Sequence, residues 1–218
     1  MINGLIILFG LTMLYLSTTS RLKSHVNTLV IQGLLLFLIC STEFSHHPWY
    51  TIVFLTIETL IVKAILIPIF LNKVLKKTHS NRDTDANIAH FYCLLISSVI
   101  LFGGFMLSVI EIPSLSMINS ICFGIALSTI IISLWLITIK HKILSNVIEF
   151  ITMENGIFLL SLSVAKEMPW IVNIGVLLDI FVAVFILGLL VGEIGSIYEN
   201  PEVGQLCNLK DFEGEEHE

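Results

Sequence analysis

SMINSICFGIALSTIIISLWLIT, residues 116–138, carries no charged side chain and no proline. At 1.5 Å per residue it makes a helix of about 35 Å, enough to cross a hydrocarbon core of about 30 Å. Similar runs recur on either side, and they predict helices over 2–19, 26–43, 50–72, 90–110, 144–165 and 170–194. Each is continuously apolar rather than alternating between polar and apolar residues, which argues against a transmembrane β-barrel. The first run follows Met1-Ile2-Asn3-Gly4, which has no basic residue, and ends in Ser17-Thr18-Thr19-Ser20 without a small-residue cleavage site. It reads as a retained helix and not as a signal peptide.

Composition agrees with this reading. Of 218 residues, 56% are hydrophobic and only 13% charged, with a mean hydropathy of +0.94. Such a chain cannot cover a soluble surface. A disulfide-bonded secreted scaffold, a disordered regulator and a nucleic-acid-binding domain are all excluded. The fold expected is an all-α polytopic membrane bundle of about seven transmembrane helices in the lipid bilayer. Seven runs of about 20 residues leave no sizeable domain outside the membrane.

The connections are short, so sequential helices run antiparallel; only 73–87 makes a longer loop. Nine basic residues fall on one side of this layout: Arg21, Lys23, Lys73, Lys76, Lys77, Arg82, Lys140, Lys142 and Lys210. Lys166 alone falls on the other. The excess marks the cytoplasmic side, with the N-terminus out and the C-terminus in. Three regions follow: a five-helix membrane region over 1–138, C-terminal helices over 139–194, and a cytoplasmic tail over 195–218. From Glu193 onward there are eight acids against one lysine. That accounts for the overall charge of −6.

Cys40, Cys93, Cys122 and Cys207 have no metal-ligand spacing, and the histidines fall in connections, at helix ends or in the tail. No phosphate-binding glycine loop and no nucleophile–base pair is present. No cofactor or metal site, and no active site, is expected on this chain.

Charge inside the hydrocarbon is costly and tends to face a bundle interior or a hydrated path. Four ionisable residues fall at mid-helix: Glu58 and Lys63 in the third predicted helix, Glu154 in the sixth and Asp179 in the seventh. Glu154 lies about 16 Å from the inner start of its helix, and Asp179 about 14 Å from the outer start of its own. Both acids are therefore near the midplane on adjacent antiparallel helices, where a water-bridged pair can pass a proton sideways. The plain alternative is that they only hydrogen-bond across helices and fix the packing. Pro68 deprives the Ala64 carbonyl of its helical partner, so a break is expected beside Lys63. Gln32 and Thr59 are candidate neighbours of that lysine. Glu58 lies about 140° around the helix from Lys63 and needs a partner on another helix or subunit. Glu149, about six residues into the sixth helix, has two readings: lining a cytoplasmic path, or snorkelling to the headgroups.

TMENG (152–156), IGVLLDIFVAVFI (174–186), LCNLKD (206–211) and IVKAILIPIFL (61–71) together resemble hydrogenase-4 component E. That family supplies a membrane subunit to group 4 [NiFe] hydrogenases of the formate hydrogenlyase type. The last three predicted helices are also similar to the K-type subunit of respiratory complex I and the C-type subunit of Mrp antiporters. The resemblance matches Glu154 and Asp179 to the acids on the middle and last helices of that subunit. Asp179 stands where the complex I subunit has glutamate, and the intervening loop is shorter. The family implies antiporter-like membrane partners, a prokaryotic cytoplasmic membrane, and nickel–iron and iron–sulfur centres on partner subunits. The function it implies is a non-catalytic membrane-arm subunit that helps move protons or sodium ions. The proton-relay candidates are Glu154, Asp179, Lys63, Glu58 and Glu149. A stand-alone transporter or channel, and a structural spacer between larger subunits, are the rival readings.

Overall fold

In a computed structural model the described residues are 2–43, 59–78, 90–109, 117–140, 143–164 and 175. They are almost wholly helical, with no strand among them. The helices are α1 (Ile2–Thr18), α2 (Leu22–Glu43), α4 (His90–Val109), α5 (Met117–Ile139) and α6 (Ile143–Val164). Between α2 and α4, a π-helical segment (Thr59–Leu66) runs directly into α3 (Ile67–Thr78). Spans within α2, α4, α5 and α6 are long and apolar enough to cross a membrane. The 17 residues of α1 are apolar but shorter. Glu58, Asp179 and nearly all of the seventh predicted helix lie outside the described residues.

Two helix limits differ from expectation. The second helix begins at Leu22 and not at 26, so Lys23, Ser24 and His25 belong to its first turns. The amides of Ser24 and His25 both donate to the Arg21 carbonyl, at 2.9 and 3.2 Å. Polar residues there have the composition of a loop but are helical. The third helix continues to Thr78, beyond the predicted limit of 72. The break expected at Pro68 takes the form of the π-helical segment on its N-terminal side. Proline cannot donate to the carbonyl one turn back, and the wider π turn accommodates that loss.

The bundle is organised around α1, α2, α5 and α6. One apolar cluster brings together Ile6 and Phe9 of α1, Leu36 and Ile39 of α2, Cys122 and Ala126 of α5, and Phe158 and Leu162 of α6. A second, nearer the α1–α2 connection, joins Met13 and Leu16 to Ile132 and Leu136. Small residues set the closest crossings. A Cβ on Gly104 would overlap the Ser128 hydroxyl and the Gly124 carbonyl, so α4 and α5 touch backbone to backbone. Gly33 gives the same freedom to the π-helical segment, since its Cβ would come within 3.0 Å of the Ala64 backbone. Small-residue contacts of this kind supply the packing that lipid-exposed helices cannot obtain from the hydrophobic effect.

Candidate functional site

Buried polar groups follow α2 and α6 from the connector end into the bundle. On α2, His25, Thr28 and Gln32 are all buried at spacings of three and four residues, which places them on one face. On α6 the buried groups are Glu149, Thr152, Glu154 and Asn155. The two sets meet at two levels.

At the connector end, Glu149 is fully buried and its Oε1 receives the Lys140 ammonium at 2.5 Å. The same oxygen lies 3.3 Å from His25 Nδ1. Lys140 Nζ is 3.4 Å from that ring nitrogen, so the three groups form a closed cluster. His25 Nε2 is 2.7 Å from the Thr19 carbonyl. A carbonyl can only accept, so Nε2 carries a hydrogen, and Nδ1 is the nitrogen that faces Glu149 and Lys140. Lys140 is 8% exposed while the other two are fully buried, so it is the member of the cluster nearest the surface. The snorkelling reading of Glu149 is overturned: the Lys140 ammonium and the His25 ring hold the carboxylate inside the bundle.

About 10 Å further along α2, Gln32 donates to the Thr12 hydroxyl at 2.9 Å and contacts Met13 Sδ at 3.3 Å. Its oxygen accepts from Asn155 Nδ2 at 3.3 Å. Three helices are joined by this one amide. Gly156 brings α6 close to α5 at the same level, because a Cβ there would come within 3.0 Å of Thr129.

Lys63 and Glu154 are both buried, with 4% and 3% exposure. The Lys63 ammonium lies 4.6 Å from the centre of the Phe158 ring, a cation–π distance. Phe158 follows Glu154 by four residues, so the lysine approaches the face of α6 that carries the acid. Gln32, one of the expected neighbours of Lys63, has its described hydrogen bonds with Thr12, Met13 and Asn155 instead. Of the five relay candidates, Glu149, Glu154 and Lys63 are thus buried in one bundle. His25, Lys140 and Asn155 join them unannounced by the sequence reading; the i, i+3, i+7 spacing of His25, Thr28 and Gln32 was the available signal. Among the described residues no three His, Cys, Asp or Glu side chains come together as metal ligands.

A chain with these features has relatives of full length. The chain is similar to hydrogenase-4 component E. The protein of that name from Escherichia coli K12 is 23% identical over 216 residues, covering 96% of this chain and 97% of the relative. Its namesake from Shigella flexneri matches to the same extent. An uncharacterised protein of Mycobacterium tuberculosis is 23% identical over 158 residues, 71% of each chain. No family model and no solved structure matches. The resemblance carried by the TMENG and IGVLLDIFVAVFI stretches therefore extends over almost the whole sequence of hydrogenase-4 component E.

Proposed function

We propose that this chain is a non-catalytic membrane-arm subunit of a complex I-related, membrane-bound [NiFe] hydrogenase. In this reading its buried charged side chains take part in proton or sodium movement coupled to electron transfer. The observation that carries the reading is the burial of Lys63, Glu149 and Glu154 inside an apolar helix bundle, in a chain similar end to end to a hydrogenase component. Ionisable groups kept in such a place are costly, and ion paths are where membrane proteins keep them. Glu154 is the central relay group, with Asp179 and Glu58 as further candidates. Nickel–iron and iron–sulfur centres belong to partner subunits. The exposed apolar side chains of α4, among them Phe91, Val99 and Phe102, suit lipid or the helices of antiporter-like neighbours in a prokaryotic cytoplasmic membrane.

Purification in mild detergent tests the assembly: hydrogenase and antiporter-like subunits should accompany the chain, whereas a stand-alone transporter would run alone or as a homo-oligomer. Glu154→Gln tests the relay. It keeps shape and hydrogen bonding but removes the exchangeable charge. Proton uptake by vesicles holding the assembled complex should fall at least tenfold. Normal uptake by an assembled variant would leave Glu154 a packing residue.

A further inference from the structure

The cluster at the connector end has a composition that packing alone does not require. Two basic side chains share one carboxylate oxygen, and the whole group is buried, with Lys140 at 8% the most exposed member. A structural ion pair needs one cation; here a third group stands at 3.3–3.4 Å from both partners. Among the described residues, the charges that face His25 can be counted. Glu149 comes from α6 and Lys140 from the end of α5, while the Thr19 connection presents only a carbonyl. Arg21 and Lys23 are exposed, and Cys93 on α4 is within electrostatic reach of Lys140.

We propose that His25, Lys140 and Glu149 form a one-proton exchange site that connects the surface to the interior acid Glu154. The inference rests on the relay reading of Glu154 for its destination, but not for its chemistry.

The cluster has zero net charge when Lys140 is an ammonium, Glu149 a carboxylate and His25 neutral with its hydrogen on Nε2. In the exchange step a Lys140 N–H bond breaks and the proton passes to Glu149 Oε1. It then moves on to His25 Nδ1, forming an N–H bond and restoring the carboxylate. The products are a neutral amine, a carboxylate and an imidazolium, so net charge is unchanged within a site where an uncompensated charge would be expensive. The imidazolium then returns its Nδ1 proton to Glu149, which releases it through Oε2 toward Glu154. Lys140, the most exposed of the three, takes one proton from solvent to restore the starting state. The second carboxylate oxygen, Glu149 Oε2, is buried and has no hydrogen-bond partner among the described residues. It offers an acceptor for water on the way to Glu154, about 7.5 Å further along α6.

The test reads the imidazole directly. The full chain, labelled with [15N]histidine and held in phospholipid nanodiscs at neutral pH, gives nitrogen shifts that distinguish neutral tautomers from imidazolium. The His25 signals are assigned by their loss in His25→Gln. The native protein should show His25 neutral with hydrogen on Nε2. In Lys140→Met the proton should reappear on His25 as an imidazolium paired with Glu149. In Glu149→Gln His25 should stay neutral. Lys140→Gln retains a hydrogen-bonding side chain and serves where Lys140→Met does not fold. A His25 that remains neutral in the folded lysine variant would overturn the proposal and leave an ion pair with a bystander ring.

Vesicles carrying the assembled complex give the second readout. His25→Gln should slow proton uptake at least tenfold. If Glu154→Gln slows uptake and His25→Gln does not, the exchange site is refuted while the relay stands. If neither slows it, the relay falls, and the spectra still decide whether the cluster exchanges a proton.

Discussion

Glu149 and Lys140 stand nine residues apart and meet at 2.5 Å where α5 ends and α6 begins. The bond closes a helical hairpin with a charge pair that is almost wholly dry. Losing one partner of such a pair is far more damaging than losing both, because the survivor stays charged and buried. The two losses here are not equivalent. Without Glu149, Lys140 and His25 have no counter-charge; without Lys140, His25 can still balance Glu149. Glu149→Leu should therefore destabilise the chain by about 3–5 kcal/mol, and Lys140→Met by clearly less. Unfolding of the detergent-solubilised protein, monitored by circular dichroism, gives both values. Equal losses would show that His25 does not compensate.

The Gln32 amide is the only described link from α6 to the Thr12 hydroxyl on α1. Replacing it with leucine keeps the volume and strands the buried Asn155 amide, while the Thr12 hydroxyl keeps its bond to the Phe9 carbonyl. Gln32→Leu should cost about 1–3 kcal/mol for the one stranded group. Gln32→Glu should be tolerated less well than its shape suggests, since a carboxylate cannot donate to Thr12. Denaturation of the purified variants checks both.

The Lys63 ammonium over the Phe158 ring is a separable interaction. Phe158→Leu removes the π face and some packing, while Lys63→Met removes the cation. A double-mutant cycle should give a coupling of about 0.5–2 kcal/mol. Under the relay reading, Lys63→Met should also leave the complex assembled and lower ion-coupled turnover. Zero coupling energy would mean that the two side chains are merely adjacent.

Gly103 and Gly104 are neighbours with opposite expectations. Nothing lies within 4 Å of a Cβ built on Gly103, whereas one on Gly104 meets α5 at once. Gly103→Ala should be neutral, and Gly104→Ala should cost about 1–3 kcal/mol by forcing the helices apart. Thermal stability of the two alanine variants decides it.

Hydropathy located the described helices because burial in lipid acts on whole runs of side chains, so the continuous apolar stretch at 116–138 and its counterparts could not be missed. Glu149, Glu154 and Lys63 were legible as charges out of place. Their partners were not. His25 and Lys140 sit where α2 begins and α5 ends, and polar residues at helix ends have the composition of connections. Only the turn of the first helix into the second, with Thr19 accepting from the ring, brings His25 inward. The π-helical register before Pro68 has no hydropathic signature; the proline alone hinted at it. Asn155 was visible within TMENG, but its bond to Gln32 spans 123 residues, and no local pattern encodes that.

The apolar cluster around Phe9, Leu36, Ile125 and Phe158 has an electrical meaning. It lies at the far end of the bundle from His25 and Lys140 and is apolar except where the Lys63 ammonium rests on Phe158. Across a membrane, voltage falls mainly over such an insulating layer, at a cost of about 2.3 kcal/mol per elementary charge for each 100 mV crossed. Under the exchange proposal, a proton taken up by the Lys140 cluster would stay on the near side of this layer and feel little of the field. The full voltage would be met only by a charge forced past Phe158. Under the relay reading, sideways passage to a neighbouring subunit would avoid that work.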